Sequence, residues 1–513
     1  MQDKSLYISG LEPITELPPT GVGGLIDPSI VTTDRTLRSS DVTFLALLMI
    51  LGAGLRFYRI DTGLWFDEIQ TLLDSVRSPL GRIISHFPSN NDHPLYSVLA
   101  HISVALFGEE PWSLRLPSAL FGVAAIPMLY LLGIAVTDRR EAAAASLILT
   151  VSYHHIWFSQ NARGYTALLF CVLLATYALV QWFETGRKSF LILYAGITAL
   201  GSYAHLTMVL VCLSHALVCG IDWLSNGHSR VRAEWRVIAG GFIGAGLLTV
   251  LLYAPMVADV SSFFTTSTVS TGEVATPIWA MVSALRGLQV GFGTMWGIAI
   301  GGVVFVAGAW SYFRERPTVS LLFLLPLPVT VILALALNRP IFPRFLFFAV
   351  GCGLLVTVRG ASAVGALTAR FTLGRLAPQR AATVMVALLT LGAVLLSIRS
   401  LPYGYRFPKQ DYEQAVAFVE RTKNDADIAA VTGEPAVTPV LQYLGRPWRR
   451  VDDGRQLREL RAAGVPVWVL YTFPSYIEAG QPELWTILRN ECVEISEFEG
   501  TVAGGTISVR RCP

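Results

Sequence analysis

Two acidic residues in the run Leu64-Trp65-Phe66-Asp67-Glu68 follow directly on an apolar stretch long enough to cross a bilayer. Ionised groups at a membrane boundary are costly to desolvate, and their presence there points to a task. A carboxylate in a water-poor site can take the proton of a hydroxyl group within hydrogen-bond reach. Asp67 is therefore a candidate base, with Glu68 a second catalytic candidate beside it. Arg163 and Arg344 stand at the outer ends of later apolar stretches. Their planar forks of N–H donors suit phosphate oxygens, and fixed cations stabilise the charge that develops when a phosphate departs. Asp92, His93, Tyr165 and His205 are further candidates for contact with a substrate. Asp92 and His93 also fit a plainer role, ahead of Pro94 at the first position of a helix.

The elements that must position these groups lie in a membrane. The chain has 513 residues, 53% of them apolar and only 15% charged, with a mean hydropathy of +0.53. A soluble protein carries about a quarter charged residues, so this composition indicates a polytopic membrane protein. The net charge of +3 is too small to suggest a nucleic-acid partner. Apolar runs of spanning length occur near 42–58, 114–136, 141–158, 165–183, 189–206, 207–224, 237–258, 292–312, 318–337, 341–358 and 382–400. The eleven runs predict about 11 transmembrane helices. Pro94–Gly108 is apolar but about half as long as a span needs to be, and reads as a helix lying along the surface within the first outer loop.

Charge placement orients this arrangement. With a cytoplasmic N-terminus, the inner connections contain Arg139-Arg140, Arg187-Lys188, Arg230/Arg232/Arg236, Arg314/Arg316 and Arg359/Arg370/Arg375/Arg380. The outer connections at 201–207 and 259–285 contain no Lys or Arg, as the positive-inside rule requires. Asp67, Glu68, Asp92, His93, Arg163, Tyr165, His205, Asn338, Arg339 and Arg344 then all face outward. Residues 1–40 are polar and rich in Thr, Ser, Pro and Gly, and read as a disordered cytoplasmic tail. The transmembrane domain covers 41–400. Residues 401–513 have soluble composition with mixed helix and strand signals, at Tyr412–Arg421, Val465–Tyr471 and a terminal hairpin, and read as a small extracytoplasmic α/β domain.

The cysteines divide the same way. Cys171, Cys212, Cys219 and Cys352 lie in apolar spans and read as small core residues. Cys492 and Cys512 flank two strand-like runs around a Gly-rich turn, and a hairpin centred on Val502 sets them opposite one another. A disulfide is expected between them, which needs an oxidising compartment.

The first-loop run Leu64-Trp65-Phe66-Asp67-Glu68, the later Asp92-His93-Pro94-Leu95-Tyr96 and Trp112-Ser113-Leu114-Arg115-Leu116-Pro117-Ser118 resemble the GT-C integral membrane glycosyltransferases. The branch is that of the protein O-mannosyltransferases and the bacterial aminoarabinose or hexose transferases. Tyr153-His154-His155 followed by Ser159-Gln160-Asn161-Ala162-Arg163-Gly164-Tyr165 is similar to the second outer loop of that branch. The resemblance implies a polyprenyl-phosphate sugar donor, an active site on the non-cytoplasmic face, an acidic first-loop base at Asp67 and a bacterial inner-membrane location. Two departures stand out: Pro94-Leu95 where many relatives have two prolines, and Asn161 where they have an acid. The acceptor, whether glycan, lipid or protein, is not specified.

The residues and the resemblance together lead to an expected transfer of one sugar from polyprenyl phosphate, with inversion at the anomeric carbon and no cofactor. A divalent metal held by His154, His155 and His205 with Asp92 stays open, although no helical HxxxH spacing supports it. A lipid or glycolipid flippase, or a degenerate transferase scaffold without activity, are the alternatives. A transporter of that kind predicts charges inside spans and paired halves with broken helices, and the charges here gather at span ends.

Overall fold

The computed structural model describes residues 36–88, 92–227, 229–266, 282–283, 286–287, 294–337, 342–371 and 377–513. The expected tail lies outside them up to residue 35, as do Asn338 and Arg339.

The first part of the described chain is helical throughout, because a backbone in hydrocarbon must satisfy its own polar groups. Among the described residues, eight helices are long and apolar enough to cross a membrane: Ser39–Phe57, Pro111–Val136, Tyr165–Thr185, Thr207–Ser225, Trp235–Ser262, Met295–Glu315, Pro343–Arg370 and Pro378–Arg406. The pair Pro317–Leu324 and Pro326–Ala336, bent by 43° where Pro326 interrupts the run, counts as a ninth if taken together. Two of the eleven expected spans fall short. Ser189–Ala204 has 16 residues. The run expected over 141–158 is broken at Ser152, whose hydroxyl accepts the His155 N–H and starts a new helix, Tyr153–Ser159. That break separates the segment carrying His154 and His155 from the helix Arg139–Val151 before it.

Packing in the bundle depends on small residues where helices cross. Cβ atoms on Gly308 and Gly360 would collide with the backbone of Val356 and Val304 respectively, so Met295–Glu315 and Val350–Phe371 touch through their glycines. At the end of the bundle opposite the candidate site, Arg359 pairs with Glu141 and Glu315, and Arg139 with Asp41. The surface helix of the first outer loop runs Pro94–Phe107 with Pro94 at its first turn. It buries Tyr96, Ser97, Ala100 and Ser103 and exposes Ile102, Leu106 and Phe107, the two-faced pattern of a helix at an interface.

The C-terminal part is a five-stranded sheet flanked by helices. Its strands are β1 Ile428–Thr432, β2 Arg449–Val451, β3 Val467–Thr472, β4 Val493–Phe498 and β5 Ile507–Cys512. They lie in the order β2-β1-β3-β5-β4, with β1, β2 and β3 parallel and β5 antiparallel to both β3 and β4. Cys492 and Cys512 are joined by a disulfide at the open end of the β4–β5 hairpin. Alternation along the strands gives two cores. Ala430, Val467, Val469 and Tyr471 pack against Leu457, Leu484 and Leu488. Val431, Leu470 and Val509 pack with Tyr412 and Val416, and this second core includes Leu64, Ile69, Leu72, Tyr96 and Ala100 from the first outer loop. The sheet thus rests on the segment that carries Asp67.

Candidate active site

Asp67 and Glu68 occupy the first turn of the short helix Phe66–Thr71, where carboxylates suit the exposed N–H groups of the helix start. They point to different partners. Oδ2 of Asp67 lies 3.5 Å from Nη1 of Arg163 and 3.7 Å from Nη1 of Arg344. Asp67 and Arg163 are buried, and the Arg344 side chain is about one-third exposed. Neither Arg56 nor Arg59 forms an ion pair with Asp67 among the described residues. Arg56 is fully buried and donates to the carbonyls of Gly52 and Thr150 and to Nδ1 of His155.

Glu68 is committed elsewhere. Its Oε1 accepts from Arg115 Nε at 2.8 Å and from the Ala162 N–H at 2.7 Å, and its Oε2 from Arg115 Nη2 at 2.5 Å and the Trp65 N–H at 3.3 Å. Burial acts to raise its carboxyl, but the charges of Arg115 and Lys409 and the hydrogen bonds from Arg115 and Ala162 outweigh burial and hold it below the usual carboxylate range. Arg115 is also fully buried and donates to the carbonyls of Ile60, Thr62 and Gly63. Glu68 therefore ties the first loop to the segment around Ala162.

The turn 160–164 is built to aim Arg163. Ser118 Oγ donates to the Arg163 carbonyl, Asn161 Oδ1 accepts from the Trp65 indole, and the Gln160 amide donates to the carbonyls of Arg56 and Tyr58. The neutral amide at Asn161 is an anchor for Trp65. Gly164 has no room for a side chain: a Cβ there would strike the Ala204 carbonyl and crowd His93.

Around the two guanidiniums stands an aromatic wall. Arg163 lies over the Tyr165 ring and Arg344 over Phe342 and Phe345. His93 and His205 face each other with ring centroids 4.9 Å apart, and both contact Tyr165. Nδ1 of His93 is 3.0 Å from the Ala204 carbonyl, which can only accept, so Nδ1 carries the proton. Nδ1 of His205 accepts the Thr207 N–H. Burial and the charge of Arg163, with that of His205, push His93 well below its usual value; burial, Arg163 and Arg344 push His205 down to about 3. Both rings are then neutral at physiological pH, with Nε2 an acceptor on His93 and a donor on His205.

Six of the expected residues, Asp67, His93, Arg163, Tyr165, His205 and Arg344, come together in this cluster. Asp92 stays at its edge. Its Oδ1 accepts from Ser75 and Ser97 hydroxyls, which ties the helix Pro94–Phe107 to the Asp67 segment, and burial raises its carboxyl. Arg77 and His86 are spent on Glu109 and Asp259. His154 donates to the Gly287 carbonyl. Among the described residues, His154, His155, His205 and Asp92 do not converge into a metal-ligating group.

Sequence reasoning missed two residues from the C-terminal part. Lys409 Nζ donates to the Gln160 carbonyl and lies 3.8 Å from Glu68, while burial and Arg115 lower its ammonium to about 7 against the pull of Glu68. The Gln410 amide accepts the Phe66 N–H and donates to Thr472 Oγ1 and the Gly505 carbonyl. Lys409 offered one signal: it is among very few lysines in a chain that otherwise uses arginine. Gln410 offered none.

Residues 91–245 match the family model described as dolichyl-phosphate-mannose-protein mannosyltransferase. The fold is shared with ArnT from Cupriavidus metallidurans in its apo state, at 14% identity and a TM-score of 0.54 over 91% of this chain and 97% of that one. The same protein bound to undecaprenyl phosphate matches at 13% identity and 0.52 over the same shares. This is a GT-C fold. The archaeal oligosaccharyltransferase AglB from Archaeoglobus fulgidus, in complex with an inhibitory peptide and a dolichol-phosphate, matches at 10% identity and 0.56 over 91% of this chain and 74% of that one. No curated protein sequence matches the chain. The likeness of fold covers nearly the whole chain.

Proposed function

We propose that this GT-C protein moves one sugar from a polyprenyl phosphate to an acceptor hydroxyl on the outer face of the membrane. The observation that carries the reading is one carboxylate, Asp67, held within 4 Å of two guanidiniums, Arg163 and Arg344, beside an aromatic wall at the ends of membrane helices. Asp67 takes the acceptor proton as the acceptor oxygen bonds to the anomeric carbon, and the bond from that carbon to the phosphate oxygen breaks. Polyprenyl phosphate leaves with one additional negative charge, which Arg163 and Arg344 meet with fixed donors. Phosphate oxygens compete with Asp67 for the same guanidiniums, so donor binding loosens Asp67 from them and turns it toward the acceptor. His93 and His205, one accepting and one donating, suit hydroxyl groups of the donor sugar. A direct displacement inverts the anomeric carbon. All roles are filled by side chains in this scheme, without a metal.

Undecaprenyl phosphate and dolichol-phosphate in two structural neighbours support a polyprenyl-phosphate donor here. The basic connections at the far ends of the helices that carry Arg163 and Arg344 support an outward-facing site, and the resemblance to bacterial transferases supports the inner membrane of a bacterial cell.

The test is turnover of polyprenyl-phosphate hexoses and pentoses by purified protein, with Asp67→Asn and Arg344→Ala compared with wild type and with chelator or divalent cation added. Loss of either arginine is expected to slow transfer about 10²- to 10³-fold, and Asp67→Asn to abolish it. Unchanged turnover in Asp67→Asn ends the assignment, and dependence on added cation ends the metal-free scheme.

A further inference from the structure

A cavity of about 320 Å³ opens in the C-terminal sheet. That is the size of a site for a small ligand. It lies at the carboxyl ends of the parallel strands: Thr432 closes β1, Arg450 lies within the three-residue β2 and Asp452 follows it, and Thr472 closes β3. With strand order β2-β1-β3, the chain leaves β1 toward one side of the sheet and β3 toward the other. This opens a crevice between them, the position where open α/β sheets bind ligands. The backbone there is shaped for the purpose. Gly433 after β1 has φ 79° and Phe473 after β3 has φ 50°; for Phe473, a non-glycine residue, the left-handed conformation carries strain.

The chemistry of the lining selects among ligands. Arg450 is within 2.7 Å of Asp452 and 3.2 Å of Glu434, so its charge is already met by two carboxylates and the trio is net negative. An anionic group gains nothing there. Thr432, Thr472 and Gln481 offer neutral donors and acceptors, and Tyr476 with Ile477 offers an apolar face. Such a mixture suits a neutral ligand dense in hydroxyl groups.

The cavity is also connected to the candidate active site. Thr472 Oγ1 accepts from the Gln410 amide, whose oxygen accepts the N–H of Phe66, the residue before Asp67. Tyr476 lies within electrostatic reach of both Asp67 and Arg344. On the first route only Gln410 separates the cavity wall from the Asp67 segment, and on the second Tyr476 is itself part of that wall.

We infer that this cavity is the acceptor subsite and that the acceptor presents a neutral, hydroxyl-rich moiety such as a glycan to it. The inference rests on the glycosyl-transfer reading for the word acceptor. The cavity's preference for neutral hydroxyl ligands stands apart from it.

The experiment uses full-length protein in detergent with methyl glycosides of common hexoses and pentoses as probes, read by ligand-observed NMR, with inorganic phosphate as the anionic probe. Wild type is expected to bind at least one glycoside saturably, and Thr432→Val and Gln481→Ala to weaken it about fivefold each, the effect of one hydrogen bond. In a parallel assay the ratio of sugar transfer to donor hydrolysis falls in both variants. Thermal midpoints equal to wild type establish that the variants fold. Absence of glycoside binding by wild type, binding that neither variant weakens, or competition by inorganic phosphate overturns the inference. Glycoside binding at the cavity with no turnover of any polyprenyl-phosphate sugar instead removes the glycosyl-transfer reading and leaves a carbohydrate site.

Discussion

Replacing Glu68 by Gln separates a positioning role from a catalytic one. The Glu68 carboxylate accepts four hydrogen bonds, two from Arg115 and one each from the Ala162 and Trp65 N–H groups, and neither Glu68 nor Arg115 has any exposed side-chain surface. A glutamine keeps one oxygen but turns an NH₂ group toward two of those donors. It also leaves the Arg115 charge facing a neutral partner in a buried site. Breaking one side of a buried ion pair costs about 3 to 5 kcal/mol, a large share of the roughly 5 to 15 kcal/mol that holds a typical domain together. The assay is thermal unfolding in detergent followed by tryptophan fluorescence, to which Trp65 at its Asn161 contact is one of twelve contributors, with sugar transfer measured on the same samples. Glu68→Gln is expected to lower the unfolding midpoint markedly and to reduce transfer only as far as the loops come apart. Glu68→Gln combined with Arg115→Met is expected to recover part of the lost stability, since the Arg115 charge is then gone and only Lys409 is left without its carboxylate. A variant with the wild-type midpoint and no transfer would refute the clamp and return Glu68 to the catalytic group.

Three further outcomes follow from the same contacts. Lys409 has a folded value of about 7 against an ordinary 10.5; the unfolded chain binds more protons between those values, so stability rises with pH across that window, and Lys409→Met should flatten that rise in unfolding midpoints measured from pH 7 to 10.5. Gly164→Ala drives a methyl into the Ala204 carbonyl and against His93; overpacking of this kind costs about 1 to 3 kcal/mol, and a lowered midpoint with weaker donor binding is expected, whereas an unchanged protein would show that the 160–164 turn yields freely. Gln410→Ala removes three hydrogen bonds, to Phe66, Thr472 and Gly505, at about 1 kcal/mol each, and should lower both the midpoint and the transfer rate; full activity in a destabilised protein would show that the sheet does not position Asp67.

The elements differ in how legible they were. Spans such as Pro111–Val136 and Tyr165–Thr185 declare themselves by length and apolarity, because lipid admits no other solution for the backbone. The break at Ser152 and the bend at Pro326 are local features that a window of hydropathy averages away. Strands β3, β4 and β5 were visible as β-rich runs around turns, whereas β1 and the three-residue β2 carry too little pattern to stand out.

What the sequence determined by itself is the chemistry available and most of the membrane helices that carry it. A carboxylate run after the first span and arginines at span ends are properties of residue type and order, and solvation alone sorts such residues from the lipid. Tertiary structure decided which carboxylate meets which cation. Asp67 and Glu68 are adjacent and chemically alike, yet successive side chains of a helix point about 100° apart. One therefore faces Arg163 and Arg344, and the other is consumed by Arg115, 47 residues away in the chain. The placement of Lys409 and Gln410 beside them likewise depends on a sheet packing back onto the first outer loop, a contact across more than 300 residues that no local pattern encodes.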